Sequence, residues 1–286
     1  MILLTGATGY TGRFLLHRMA AGAEPLRCIV RASSDCSQLS ALGVEYHIGD
    51  LTDPGSVRTA FIGADKVVHL AHIRYAPTIL ECVDASVEHV VLVSSLRRFS
   101  RVLSPSVEEV IAGEECARAA GIPCTILRPA MIYGPGDDRN IGRLAMYLQR
   151  RSWIPIFGSG EYLQQPVYVE DVVDVVLAAL DRPRSRGRSY NVAGAEKLTY
   201  NCLIDRVGGA VGVRPRKVHI PVQLTLAGLW CMERMGINVG VEGEQVLRLQ
   251  ESKAFSIDAA QEDLDYAPLT FAAGLQRIYA GGEVHG

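Results

Sequence analysis

A short apolar stretch, Ile2–Thr5, runs directly into Gly6-Ala7-Thr8-Gly9-Tyr10-Thr11-Gly12, and a helical pattern from Arg13 to Ala21 follows without a break. Strand, tight turn and helix must therefore succeed one another within a few residues, and each glycine has its own task. Gly6 permits the turn, Gly9 lets backbone N–H groups approach a pyrophosphate, and Gly12 lets the helix pack closely against the strand. The positive end of that helix then faces the phosphates. In this setting the GxxGxxG spacing predicts a dinucleotide site in which Thr8, Tyr10 and Thr11 join the three glycines.

Further runs rich in β-branched residues alternate with helical patterns: Leu26–Arg31, Val44–Ile48, Lys66–Ala71, His89–Ser95 and Cys124–Leu127. The rhythm predicts an α/β fold, a doubly wound parallel Rossmann sheet with a smaller C-terminal substrate lobe. Residues 1–130 read as the dinucleotide-binding domain. Residues 131–286 read as mainly the substrate lobe, interleaved with the last strands of the sheet. After Pro129 come the breaks Gly134-Pro135-Gly136 and Phe157-Gly158-Ser159-Gly160, then a helix over Glu170–Leu180 and an isolated strand, Tyr190–Val192. The apolar run Ile220–Met232 falls short of the roughly 18–20 residues of a membrane span and reads as a core helix, with a lid over the site as the alternative.

A chain of 286 residues that is 48% hydrophobic can bury a core for this fold without disulfides or metal, and no metal site is expected. Its seven cysteines are scattered singly, as reduced thiols would be. A net charge of −2 gives no reason to expect nucleic acid or an anionic membrane, so a small-molecule substrate is the expected partner. With the first strand beginning at Ile2 and no apolar run of spanning length, the expected location is cytoplasmic.

The second strand decides the cofactor. A site for NAD usually carries an acid at its end, whereas an arginine neutralises a 2′-phosphate. Here the strand ends in Val30-Arg31, and Ser33 and Ser34 add hydroxyl donors, so NADP(H) is preferred and NAD(H) remains possible. The other reading of Arg31 is a solvated surface charge. After the third strand, Asp50 and Leu51 offer a carboxylate and an apolar surface for an adenine ring. Asp50 could instead cap the next helix, a task that Asp53 could equally perform.

Together these segments resemble the short-chain dehydrogenase/reductase superfamily, in its extended and atypical branches. The markers are GATGYTG at the start, GDL at Gly49–Leu51, HLA at His69–Ala71, VSS at Val93–Ser95, LRPAMIYGPG at Leu127–Gly136, VYVEDVV at Val167–Val173 and the closing Leu264–Pro268. The resemblance implies that Ala71, His72, Ser94 and Pro129 line the cofactor, and that Ser95, Arg97, Met131, Tyr133 and Gln164 face the substrate. Ser95 falls where the family keeps a hydroxyl that bonds the substrate oxygen; its other reading is an ordinary strand-end hydroxyl. Arg97 reads either as a solvated loop charge or as a group for an anionic substrate or a carbonyl. His72 lines the cofactor pocket or supplies the acid.

The family's usual Tyr-x-x-x-Lys pair is missing. Aligned on Glu114–Gly121, Ser106 takes the tyrosine position and Val110 the lysine position, and the whole chain has only Lys66, Lys197, Lys217 and Lys253. Met131 and Gln164 stand where sugar-nucleotide members carry an asparagine and an arginine, which argues against a nucleotide-sugar substrate. The pattern looks most like atypical members related to the complex I accessory-subunit branch. It implies an NADP(H)-binding oxidoreductase or epimerase/dehydratase-type enzyme with Ser95 and His72 as its catalytic candidates, or a non-catalytic NADP(H) sensor or assembly scaffold. As in many relatives, the helices Val107–Ala120 and Asn140–Gln149 could pair in a homodimer.

Overall fold

A computed structural model describes residues 1–136, 138–236 and 243–279. All four side chains of strand β1 (Ile2–Thr5) are buried, so it needs neighbours on both edges and a layer on each face. The chain supplies them through α1 (Tyr10–Ala20), β2 (Leu26–Val30), α2 (Ser37–Ala41), β3 (Glu45–Ile48), α3 (Pro54–Val57), β4 (Lys66–His69), α4 (Ala76–Cys82), β5 (His89–Val93), α5 (Pro105–Ala119) and β6 (Cys124–Pro129). Its second half contributes β7 (Ile132–Tyr133), α6 (Ile141–Arg150), β8 (Trp153–Phe157), β9 (Leu163–Gln164), β10 (Val167–Tyr168), α7 (Val169–Asp181) and β11 (Ser189–Val192). The remainder forms β12 (Leu198–Thr199), α8 (Tyr200–Ala210), β13 (Arg216–Ile220), α9 (Val222–Arg234), α10 (Gly243–Arg248), α11 (Asp258–Leu264) and α12 (Phe271–Tyr279).

The main sheet has the order β3-β2-β1-β4-β5-β6-β11, and every pairing in it is parallel. The two-residue period of the strands sorts the core. Leu4, Val68 and Val91 turn toward Leu15 of α1 and Val172 of α7, while Leu3, Val67 and Val90 turn toward Ile79 of α4 and Val110 of α5. Connections run outward from β1 to β3 and then return to β4, so the β1/β4 boundary is the switch point where a crevice opens beyond the strand ends. The strand at Tyr190–Val192 is not isolated: as β11 it pairs with β6, Tyr190 opposite Leu127, and closes the far edge of the sheet.

A separate core of Tyr133, Ile156, Leu203 and Phe271 holds the smaller region, where β8 pairs with β13 and β9 with β12. The apolar run expected as a core helix forms α9, but none of its described side chains is buried, and Leu224 and Trp230 are 66% and 57% exposed. Its apolar residues are spread around the helix instead of gathered on one face, so no single contact can cover them. No described helix is long and apolar enough to cross a membrane. All seven cysteines are free thiols.

One charged residue ties α5 to the ends of the central strands. Glu114 is fully buried and accepts hydrogen bonds from Ser94 Oγ (2.6 Å), Arg128 Nε and Nη2 (2.9 and 2.8 Å), Arg118 (2.9 Å) and Arg98. Burial pushes its carboxyl upward, but bonds from Arg128 and Ser94 and the charges of Arg128 and Arg98 outweigh this and hold it below its ordinary value. Glu114→Ala leaves Arg128 buried without a counter-charge and is expected to cost about 3–5 kcal/mol. Glu114→Gln keeps an acceptor and is expected to cost less. Urea unfolding of the two variants checks this; equal, small losses would show that the network adds little.

Candidate functional site

The crevice begins at the glycine turn. Gly6 has a φ of +78°, and a Cβ there would lie 2.7 Å from the Ala71 amide nitrogen, so only glycine lets β1 end this close to the loop after β4. A Cβ on Gly12 would collide with the Gly6 carbonyl oxygen and reach 2.8 Å from that of Ala7, which is how α1 packs flush on the turn. Gly9 donates to the Gly6 carbonyl (3.0 Å), and as the residue ahead of α1 it offers no capping side chain. No acidic residue occupies the first turn of α1. By position the amides of Thr11 and Gly12 lack intrahelical acceptors, so this helix end suits a phosphate pair, with Thr8 beside it. Tyr10 donates to the Pro135 carbonyl (3.2 Å) and ties the turn to the second half of the chain.

Arg31 follows β2 and is exposed; among the described residues its side chain makes no hydrogen bond or ion pair. The Ser34 amide donates to the Arg31 carbonyl (2.9 Å), curling Ser33 and Ser34 back beside it. Asp53, not Asp50, caps α3 by accepting from the Gly55 amide (2.9 Å). Asp50 remains exposed beyond β3, its Oδ1 accepting from the Thr52 amide and hydroxyl, both at 2.8 Å. Those bonds hold its carboxyl below its ordinary value, with a smaller contribution from Arg31. Leu51 is half-buried next to it.

The floor of the crevice is a hydrogen-bonded chain between the two central strands. Thr5 Oγ1 lies 2.7 Å from His69 Nδ1, and His69 Nε2 lies 3.1 Å from the His72 carbonyl. A carbonyl can only accept, so Nε2 carries the proton and Nδ1 accepts from the Thr5 hydroxyl. His72 itself faces α5: its Nδ1 accepts from the Arg74 amide (3.2 Å), and its Nε2 is 3.8 Å from Glu109. Burial pushes the His72 imidazole below its ordinary value, although Glu109 opposes this.

Beyond β5 and β6 lies a cleft of about 970 Å³, lined by Ser95, Arg97, Pro129, Met131 and Gln164 among others. Five of the residues expected from the sequence thus meet there. Tyr133 does not join them: it is 1% exposed in the core of the smaller region, packed against Tyr168 and Phe271 with its hydroxyl against Gly274. His72 is absent from the lining, and Ser94 is committed to Glu114. At the position of the family lysine, Val110 is buried against the sheet, and Ser106 at the tyrosine position pairs with the Ser104 hydroxyl (3.1 Å). Ser95 Oγ accepts from the Arg97 amide (3.1 Å), which leaves its own proton to donate.

Of the cleft cations that sequence reasoning missed, Arg101, Arg248 and Lys253, the last two come from far along the chain. Arg248 of α10 donates to Ser104 Oγ (3.1 Å), and Lys253 lines the cleft after its backbone amide bonds the Leu163 carbonyl (2.7 Å). No local pattern marks either one. The segment carrying Lys253 is held along β9 by that bond, by Leu163 N–H to Ser252 Oγ (3.2 Å) and by Phe255 N–H to Gln165 Oε1 (2.9 Å).

A sequence model of a family described as NAD(P)H-binding matches residues 6–183. Among curated proteins, the chain is 27% identical over 235 residues to a ceramide reductase of Caulobacter vibrioides, covering 77% of this chain and 74% of that protein. It is 28% identical over 244 residues to the mitochondrial NADH dehydrogenase (ubiquinone) 1 alpha subcomplex subunit 9 of Arabidopsis thaliana, covering 78% of this chain but only 60% of the plant protein. Among solved structures, a UDP-glucose 4-epimerase from Thermotoga maritima shares the fold, with a TM-score of 0.75, 20% identity and coverage of 98% of this chain and 97% of the other.

The floor of the crevice carries a pH signature. Burial pushes His69 from 6.5 down to about 4, so the folded protein binds this proton more weakly than the unfolded chain does. The contribution of His69 is whole above its unfolded value and is lost as pH falls toward the folded one, at about 1.4 kcal/mol per unit. Gln at position 69 can also accept from Thr5 and donate to the His72 carbonyl, so His69→Gln is expected to lack that slope. Urea unfolding at stepped pH reads the difference, and parallel slopes in the two proteins would refute it.

Proposed function

Because this chain belongs to the NAD(P)H-binding family, within the atypical short-chain dehydrogenase/reductase group, we propose that it is an NADP(H)-dependent oxidoreductase acting on a small molecule held in the cleft beyond β5 and β6. The observation that carries this reading is the placement of that cleft. It opens beyond the C-terminal ends of β5 and β6, on the same side of the parallel sheet as the glycine turn that follows β1, and keeps a hydroxyl donor, Ser95, together with other polar groups. The glycine turn and the uncapped end of α1 would hold the pyrophosphate, and Asp50 and Leu51 would meet the adenosine. Arg31, with Ser33 and Ser34, supports a 2′-phosphate. Bound in this way, the dinucleotide supplies or accepts the hydride.

The chain's own residues do the rest. Ser95 donates to the carbonyl or alcohol oxygen of the substrate and fixes its distance from the cofactor. Orientation of this kind supplies much of the rate in a hydride transfer, so the loss of the tyrosine and lysine leaves the reaction possible while slowing it. An epimerase or dehydratase cycle, in which the oxidised cofactor would take a hydride from the substrate and later return it, uses the same arrangement.

A second reading, a non-catalytic NADP(H) sensor or assembly scaffold, is favoured by one observation: Ser106 and Val110 are both absorbed into packing and hydrogen bonding. The similarity to a complex I subunit points the same way.

Fluorescence titration separates these ideas. Arg31→Asp is expected to weaken NADPH binding by at least about tenfold while leaving NADH binding intact, because only the 2′-phosphate loses its counter-charge. Equal effects on the two cofactors would remove the NADP(H) assignment. Oxidation of bound NADPH by simple carbonyl compounds supports the enzyme; tight binding with no turnover by any of them supports the sensor.

A further inference from the structure

The cleft has more positive charge than its surroundings neutralise. Arg97, Arg101, Arg248 and Lys253 line it, against one carboxylate, Glu251. That carboxylate is already engaged, accepting from Ser100 Oγ (2.7 Å) and from the amides of Arg101 (2.6 Å) and Val102 (3.3 Å). Arg248 is held by Ser104 and lies 3.6 Å from Glu244. The side chains of Arg97 and Lys253, by contrast, make no ion pair or hydrogen bond among the described residues.

An independent observation marks the same place. Gln164 is 5% exposed and lines the cleft, yet its buried amide Nε2 has no hydrogen-bond partner among the described residues. A buried amide left unmatched costs free energy unless something in the cavity accepts from it. Much of the remaining wall is apolar, built by Leu96, Phe99, Met131, Ile132, Leu247 and Phe255, with the Phe99 and Phe255 rings 5.5 Å apart.

We propose that this cleft selects an amphiphilic carboxylate: Arg97 and Lys253 hold the anionic head, Gln164 donates to an oxygen of the ligand, and the apolar wall takes its hydrocarbon body. The proposal rests on the reading of the cleft as a substrate site and names the substrate class. Burial supports it. It is the main cause that holds the Lys253 ammonium below its ordinary value, with Glu251 opposing and Arg248 and Arg97 adding smaller contributions, so an entering anion would favour the charged form. The geometry also explains how a chain without the family lysine still charges this site, through a segment far away in sequence.

Calorimetric titration of the full chain, with and without NADPH, tests this with octanoate, its neutral isostere octanamide, and inorganic phosphate. Octanoate is expected to bind at least about tenfold more tightly than octanamide, because charge-assisted bonds are the stronger ones. The Arg97→Gln/Lys253→Gln double variant is expected to lose that advantage while binding octanamide and NADPH unchanged, which also reports that it folds. Equal binding of octanamide, phosphate competing as tightly as octanoate, an unaffected double variant, or no octanoate binding to NADPH-loaded protein would each overturn the assignment. NADPH binding is read in the same titrations, so failure of the carboxylate site and failure of the cofactor reading are seen separately.

Discussion

The close approach of the first turn to the end of β4 is the constraint on which the rest depends. Gly6 sits where any side chain would strike the Ala71 backbone, and Thr5, His69 and the His72 carbonyl link the same two strands from within. Where two parallel strands meet at a switch point, the loops that leave them must diverge, and that divergence is the crevice. Fixing its floor with buried hydrogen bonds keeps the glycine turn, the end of β4 and the start of α1 in one geometry. A loop at this position would otherwise have to order itself each time a ligand arrived.

A second anchor, Glu114, holds the fold through groups other than those at the family's tyrosine and lysine positions. The α5 helix is fastened to the strand ends by a buried carboxylate that collects Ser94, Arg98, Arg118 and Arg128. With that attachment in place, the positions that carry the tyrosine and lysine in the family are free to serve packing, as Val110 does. Cationic groups also reach the cleft from α10 and the segment that follows it, through Arg248 and Lys253.

Much of the fold could be read directly from the residues. β-branched runs four to six residues long with helical stretches between them leave few alternatives to a parallel sheet, and six strands were placed with errors of a residue or two at their ends. Tyr190–Val192 was read as a strand, but its place at the edge of the sheet was not, because pairing with β6 is a long-range contact without a local signal. The apolar run before Met232 misled for the opposite reason. Hydrophobic content was taken as burial, although only a one-sided pattern can be buried against a single neighbour. In the site, Ser95, Met131 and Gln164 were found from strand-end positions and family spacing, whereas Tyr133, two residues from Met131, turned inward to the second core.

By itself the sequence determined the glycine turn, the sheet and the absence of a Tyr-x-x-x-Lys pair, since each depends on residues adjacent along the chain or on a simple inventory. Tertiary structure alone decided that Lys253 and Arg248 line a common cleft with Ser95, that Gln164 is buried with its amide unmatched among the described residues, and that Glu114 is fully enclosed. The physical reason is distance along the chain. Local stereochemistry sets strands and turns, but the charge and hydrogen-bond balance of a cavity is set by segments brought together only when the two cores close.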